Sequence, residues 1–454
     1  MAVVPWIAAV LAWTATAAAG GGAAVGAASG LSDVHVTMFS DRALEAAAVL
    51  ESVCRHAAAP ERLVFHVVVS ARGGGSGFEA AARGGGCARA RLRVHALGDL
   101  TRELRDAGVV VTWEMAPVAR TNLTVRAAAW DASDKHKTGF NHLRFYAPYL
   151  SPFRNLDALI FLDDDTIVQG DIADLHGFDL GGKAIGAGCL NWVWNSCERM
   201  ESSLSLTYAD VPYFGVGTLT GRSVADATCG AAGETECVPE GFFESLSRAS
   251  RELGGGGDVA SAFRTSRAWN FGLNKFDLAA WRRRGLTEKY VGWMAANARE
   301  GWFPETSLGY GLGVAFLAWA GDVACVDDAL PISHGLGFVP YDDFAVDLAK
   351  RGDRPDPAAA LARAYAVHWN GDRKPWDPDR SIRGYEAAYH AHAAPEIARR
   401  FEGSRRLAGP GAARLRPFVV LSAPRSGTEW FMDVLDRHPA VCATGVLRRP
   451  MPRW

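Results

Sequence analysis

The segment LDALIFLDDD, Leu156 to Asp165, restricts the fold more than any other ten residues of the chain. Its apolar run is too short and too apolar for a surface helix, so it reads as a buried strand. The run ends in three acids, Asp163, Asp164 and Asp165. In an open α/β sheet, ligands bind beyond the carboxyl ends of the strands, and these acids fall at such an end. On an extended chain alternate residues share a face, so Asp163 and Asp165 are expected to converge while Asp164 points elsewhere. Two converging carboxylates without a cation force a proton onto one of them. A divalent ion removes that conflict, and hard oxygen ligands favour Mg2+ or Mn2+. A solvated acidic turn is the bland alternative, but surface loops seldom follow LIFL directly. A phosphatase-type D-x-D-x-[TV] nucleophile fits poorly, because Ile167 holds the last position.

The surrounding pattern is strand, helix, strand. DVHVTMFS (Asp33 to Ser40), RALEAAAVLESVCRHA and RLVFHVVVS (Arg62 to Ser70) predict a βαβ unit with a parallel sheet. ARGGGSGFEAAARGGG reads as a surface loop, RLRVHAL and GVVVTW as further strands, and TGFNHLRFYAPYL as a helix ending near Pro148. Residues 186–265 are irregular and rich in Gly, Ser and Cys, which predicts an insertion. WNFGLNKFDLAAWRRRG resumes with a strand and a helix, and AYAVHWNGDRKPW is a strand entering a polar loop.

With 454 residues the chain is long enough for one large domain and a further piece. A net charge of -2 gives no basic field for nucleic acid. Residues 1–32 carry no ionisable side chain and read as a signal peptide, or as a weak membrane anchor. Cys189/Cys197 and Cys229/Cys237 fall in one irregular region and, in a secreted chain, read as disulfides stapling an insertion, their connectivity left open by the sequence.

HWNGDRKPW complements the acids. His368 ends an apolar strand, Gly371 lets backbone approach a ligand, and Lys374 supplies a point charge suited to phosphate. A lone His is more often a core residue and a lone Lys a surface one. Behind a strand and opposite an aspartate pair, they make a diphosphate–metal site. No P-loop or dinucleotide-binding glycine motif occurs.

NHLRFYAPYL followed by LDALIFLDDDTIVQGDIADL, then WNFGLNKFDLAAWRRRGLTEKY, then HWNGDRKPW, resembles glycosyltransferase family 8 and its plant galacturonosyltransferase-like branch, over about residues 33–380. The resemblance implies an α/β fold of the GT-A type, a Rossmann-like mixed sheet flanked by helices, within a domain spanning 33–385. It implies Mn2+ (or Mg2+), a UDP-sugar donor, a glycan or glycoprotein acceptor, retention at the anomeric carbon, and work in the Golgi lumen of the secretory pathway. By motif, Asp163, Asp165 and His368 are the implied metal ligands. Gly371 and Lys374 are diphosphate contacts, Arg144 a donor-side residue, and Asn270 a sugar or acceptor contact. Ser40 and Asp41 are expected at the uridine, and Asp164 at the donor's ribose or sugar. SLGYGLG (Ser307 to Gly313) has no acid or amide where some members place a Gln, so a front-face substitution is expected. A catalytically silent lumenal glycan-binding protein is the competing reading.

Residues 386–417 read as a polar, Arg-rich linker. FVVLSAPRSGTEWFMDVLDRHPAV then presents a strand, a turn with Arg425, Ser426, Gly427 and Thr428, and a helix, closely resembling the phosphosulfate loop of sulfotransferases. Residues 418–454 are therefore expected to be the opening of a truncated sulfotransferase-like domain, with an ordinary surface strand–helix as the bland alternative; a fragment of a bifunctional glycosyltransferase/sulfotransferase is the alternative function.

Overall fold

The computed structural model describes residues 32–70, 75–82, 85–115, 139–189, 241–254, 259, 262, 269–303, 309–337, 356–371, 373–382 and 384–407. The N-terminal stretch, most of the Cys-rich insertion and the sulfotransferase-like segment lie outside them. The chain divides into a unit through Ser404 and a second from Arg405, of which only the end of one helix is described.

Seven strands form the main sheet in the order β3-β2-β1-β4-β7-β6-β8. They are β1 (Val34–Phe39), β2 (Leu63–Val69), β3 (Arg91–Ala96), β4 (Ala158–Leu162), β6 (Ile185–Cys189), β7 (Trp269–Asp277) and β8 (Val323–Cys325). β1 runs parallel to β2 and β4, whereas β7 is antiparallel to both β4 and β6. The sequence order leaves β1 on one side for β2 and β3, then returns on the other side with β4. The topological switch therefore falls between β1 and β4, where the crevice at the strand ends opens. A small second sheet, β5-β10-β9, pairs β5 (Thr166–Val168), β10 (Ala366–His368) and β9 (Ile332–Ser333).

The first strand–helix–strand unit forms as its sequence predicts. Ala46, Val49, Leu50 and Val53 line the buried face of α1 (Ala43–His56) and pack with the fully buried β2. The opposite core is aromatic: Phe145, Trp269, Phe271, Trp281, Tyr290 and Trp319 are all buried in one cluster. GVVVTW is not a strand. The Thr112 N–H donates to the Tyr146 hydroxyl at 3.0 Å, and that hydroxyl donates to the Val110 carbonyl at 2.9 Å. One side chain thus satisfies backbone groups that a neighbouring strand would otherwise take.

Three expectations change. The 71–86 surface loop contains helix Ser76–Ala82, with Phe78 fully buried. Residues 186–189 belong to β6, and Phe242–Glu252 is a helix with Phe242 and Leu246 in the core, so both margins of the expected insertion are structural. In the 386–417 stretch, helices α2 (Glu386–His390) and α3 (Pro395–Leu407) carry Tyr389 and Ile397 into a core cluster with Trp369 and Trp376. A few apolar anchors at helical spacing outweigh the Arg-rich composition there.

Cys54 is bonded to Cys87, and Cys189 to Cys325. β6 and β8 are neighbours in the sheet, so Cys189 and Cys325 meet across 136 residues of sequence. No helix among the described residues is long and apolar enough to cross a membrane.

Candidate active site at the carboxyl ends of β1 and β4

The three aspartates occupy the turn that leaves the main sheet at β4 and enters the second sheet at β5. The Asp163 N–H donates to the Gly272 carbonyl at 2.8 Å, extending the β4–β7 ladder by one bond. β5 then pairs antiparallel with β10, placing Thr166 opposite His368, and the Trp369 N–H donates to the Asp165 carbonyl at 3.0 Å. This register brings together side chains about two hundred positions apart. Asp163 and Asp165 do converge, through a turn between two sheets rather than through simple strand alternation.

Ligand-capable oxygens of Asp163 and Asp165 and a ring nitrogen of His368 all lie within 4.8 Å of one another. His368 Nε2 stands 3.0 Å from Asp165 Oδ1 and 3.8 Å from Asp163 Oδ2. Despite that proximity, neither His368 Nε2 nor Asp165 Oδ1 is aligned for a hydrogen bond with any described group. An imidazole nitrogen and a carboxylate oxygen that face each other without a well-aligned hydrogen bond, beside a second carboxylate, make a donor set a cation can occupy. The donor set of two carboxylates and one imidazole fits Mn2+ or Mg2+.

Lys374 reaches in from the loop after β10, pairing with Asp165 Oδ2 and donating to the Trp369 carbonyl at 2.7 Å. Burial alone would raise the Asp165 carboxyl. Lys374 and His368 outweigh it and hold Asp165 below the ordinary carboxylate range. Burial, with the nearby Asp165 charge, raises the Asp163 carboxyl despite Arg144. The two acids are thus pushed apart, as expected of like charges that share one site. Arg144 lies buried, with its guanidinium 4.2 Å from the centre of the Phe161 ring and 3.4 Å from Asp163 Oδ1. It also donates to the Phe271 carbonyl at 3.2 Å, which orients it towards the acids. Gly371 follows β10 with φ of 126°, a conformation closed to other residues in practice.

Asp164 points the other way. Ser40 Oγ donates to its Oδ2, and the Arg42 fork grips both oxygens, with Nε at 2.9 Å. Arg42 is half exposed and lies over the Trp376 ring at 5.0 Å. Ser40 is buried at the end of β1, whereas the exposed Asp41 accepts from the Ser70 N–H at 2.7 Å. Asn270 is buried on β7, and its Oδ1 accepts from the Gly272 N–H at 2.6 Å. The expected residues therefore separate into an acid–imidazole–lysine group, an Asp164–Ser40–Arg42 group beside it, and Asn270 within β7.

Sequence reasoning missed Arg42, Gly272 and His334. A Cβ at Gly272 would overlap the His368 ring, so the glycine makes room for the imidazole. His334 lies 3.2 Å from the far side of His368, and burial, reinforced by His368, drives its ring well below the usual imidazole value. Only Arg42 carried a hint, as a cation one residue past the expected uridine contacts.

The site thus sits in an α/β protein whose mixed sheet carries paired acids at its switch point. The profile of Glycosyl transferase family 8 matches residues 36–217 and 259–379, and the chain belongs to that family. It is 27% identical over 364 residues to Probable galacturonosyltransferase 14 of Arabidopsis thaliana, covering 75% of this chain and 56% of that protein. Probable galacturonosyltransferase 13 of the same plant is 25% identical, with 75% and 55% covered. The chain thus spans just over half the length of these relatives. Among solved structures, the WbbM bifunctional glycosyltransferase matches with a TM-score of 0.48 and 15% identity, over 82% of this chain and 52% of that one.

Proposed function

We propose that the chain transfers a hexosyl or hexuronosyl unit from a UDP-sugar to a glycan acceptor, with retention at the anomeric carbon. The observation that carries this reading is the convergence of Asp163, Asp165 and His368, whose ligand-capable atoms lie within 4.8 Å of one another at the switch point of the sheet. Asp163, Asp165 and His368 would hold Mn2+ or Mg2+. When bound, such an ion supplies Lewis-acid stabilisation of the charge that develops on a departing diphosphate.

The protein's own groups do the rest. Lys374 brings a fixed positive charge to the rim of the site, where leaving-group charge accumulates. Gly371 lets backbone approach the diphosphate. Arg42, braced by Asp164 and stacked on Trp376, sets the far wall with Ser40 and Asp41 on the nucleoside side. Arg144, at the start of a 3-10 helix, and Asn270, on β7, belong to the sugar side. An attacking hydroxyl on the same face as the leaving group would give retention without a covalent enzyme intermediate.

The names of the relatives favour a galacturonate donor, whose carboxylate calls for a nearby cation. Disulfides Cys54–Cys87 and Cys189–Cys325 support an oxidising compartment, consistent with the Golgi lumen. The catalytic domain is assigned to residues 33–385, with Tyr389 and Ile397 beyond it packed into the same core cluster as Trp369 and Trp376. The 418–454 segment keeps its sulfotransferase-like motif as a reading of sequence alone, and we attach no activity to it.

The test is a donor screen with UDP-galacturonate, UDP-galactose, UDP-glucose and UDP-xylose, with Mn2+ and with EDTA. Metal-dependent turnover of one donor is expected, and Asp165→Ala should reduce it roughly a thousandfold, the equivalent of several kcal/mol of lost charge stabilisation. No metal-dependent release of UDP from any of them would leave the silent glycan-binding reading standing instead.

A further inference from the structure

His368 turns Nε2 towards Asp163 and Asp165, so its Nδ1 faces inward. That nitrogen lies 3.2 Å from Nδ1 of His334, the residue that follows β9. At this separation two imidazole nitrogens share one proton, one donating and the other accepting. His334 is buried, and its Nε2 has no hydrogen-bond partner among the described residues. Its Nδ1, aimed at Nδ1 of His368, is the ring atom placed to accept from that neighbour.

The seat of this pair is built for it. Gly188 on β6 and Gly272 on β7 each stand where a Cβ would overlap one ring, Gly188 under His334 and Gly272 under His368. The backbone clips the two segments together as well. The Leu336 N–H donates to the His368 carbonyl at 3.3 Å, and Ser333 pairs with Val367 in the β9–β10 ladder.

An imidazole binds a cation through the nitrogen that carries no proton. For Nε2 of His368 to serve, the proton must sit on Nδ1, and a dry interior must offer that N–H an acceptor. We infer that His334 is the positioning residue that accepts the Nδ1–H of His368 and so holds the Nε2 lone pair towards Asp163 and Asp165. This rests on the metal reading of the site given above.

The tautomer can be read directly in the full chain by 15N NMR of labelled histidine with saturating Mg2+ and UDP. His368 is expected to carry its proton on Nδ1, and a proton on Nε2 in that state would overturn the inference. Mn2+ affinity, followed by the paramagnetic resonance of free Mn2+ in the presence of UDP, is the second readout. His334→Leu should raise the dissociation constant about 10- to 100-fold, while His334→Asn, whose Oδ1 can stand near the same place as an acceptor, should remain within about threefold. Leu and wild type binding alike, or Asn failing as badly as Leu, would each overturn it. Should the Leu variant not fold, the wild-type tautomer still decides. Wild type that binds no Mn2+ removes the metal reading itself, whereas a His334→Leu variant that binds normally removes only the role of His334.

Discussion

Two of the histidine clusters among the described residues do different things. In the first, His35, His66 and His95 sit on β1, β2 and β3 and form a row across three parallel strands. His35 Nδ1 is 3.0 Å from His66 Nε2, and His66 Nδ1 is 3.1 Å from His95 Nε2. The rings stack at 5.3 Å and close against Phe153. In the second, His334 and His368 face each other at nearly the same nitrogen separation, but His368 also looks onto two carboxylates. Among the described residues no carboxylate comes within ion-pair range of the first row. Burial and ring-to-ring contact are common to both clusters. The neighbouring acids are what turn the second into a site.

The comparison can be broken most sharply at Gly272. Gly272→Ala places a methyl where the His368 ring stands, while leaving every acid in place. Metal-dependent turnover should fall about a hundredfold, as a misplacement of about 1 Å does elsewhere. Turnover within a few-fold of wild type would show that His368 does not need its observed position.

The next effect belongs to the row. Burial, then the flanking histidines, pushes His66 down to about 3, and burial also lowers His35 and His95. The unfolded chain takes up protons near pH 6.5 that the folded state refuses, so stability is full above that pH and declines as pH falls from about 6.5 towards 3. Between pH 7 and 5, His66 alone should account for about 2 kcal/mol of lost stability. Urea denaturation at the two pH values, in wild type and His66→Gln, measures it. An unchanged pH slope in the variant would remove His66 as the cause.

The smallest effect is on turnover. His35→Gln, remote from the acids, should leave donor turnover at pH 7 within about twofold, as surface-side substitutions away from a site usually do. A large loss would mean that the row communicates with the active site after all.

Much of the chemistry was legible in residue types. LIFLDDD, HWNGDRKPW and the order of the motifs pointed to paired acids meeting a histidine and a lysine from far along the chain, and the structure brings those side chains together. Other features were not legible. GVVVTW has strand composition, yet Tyr146 from a distant helix satisfies its backbone. ISHGLG contains a histidine no different from any other until β9 is laid beside β10. Cys189 has a nearer cysteine in sequence at Cys197, but sheet order carries it to Cys325.

The sequence by itself determined the apolar strand at β4, the acids that end it, the first strand–helix–strand unit and the positive charge on the loop after β10. These are local consequences of side-chain hydrophobicity, periodicity and charge. Only the tertiary structure decided that Ser40 and Arg42 are the partners of Asp164, that Gly188 and Gly272 clear space for two imidazoles, and that His334 backs His368. Each depends on register between strands far apart in the chain, and register is set by the packing of whole sheets, which no single segment encodes.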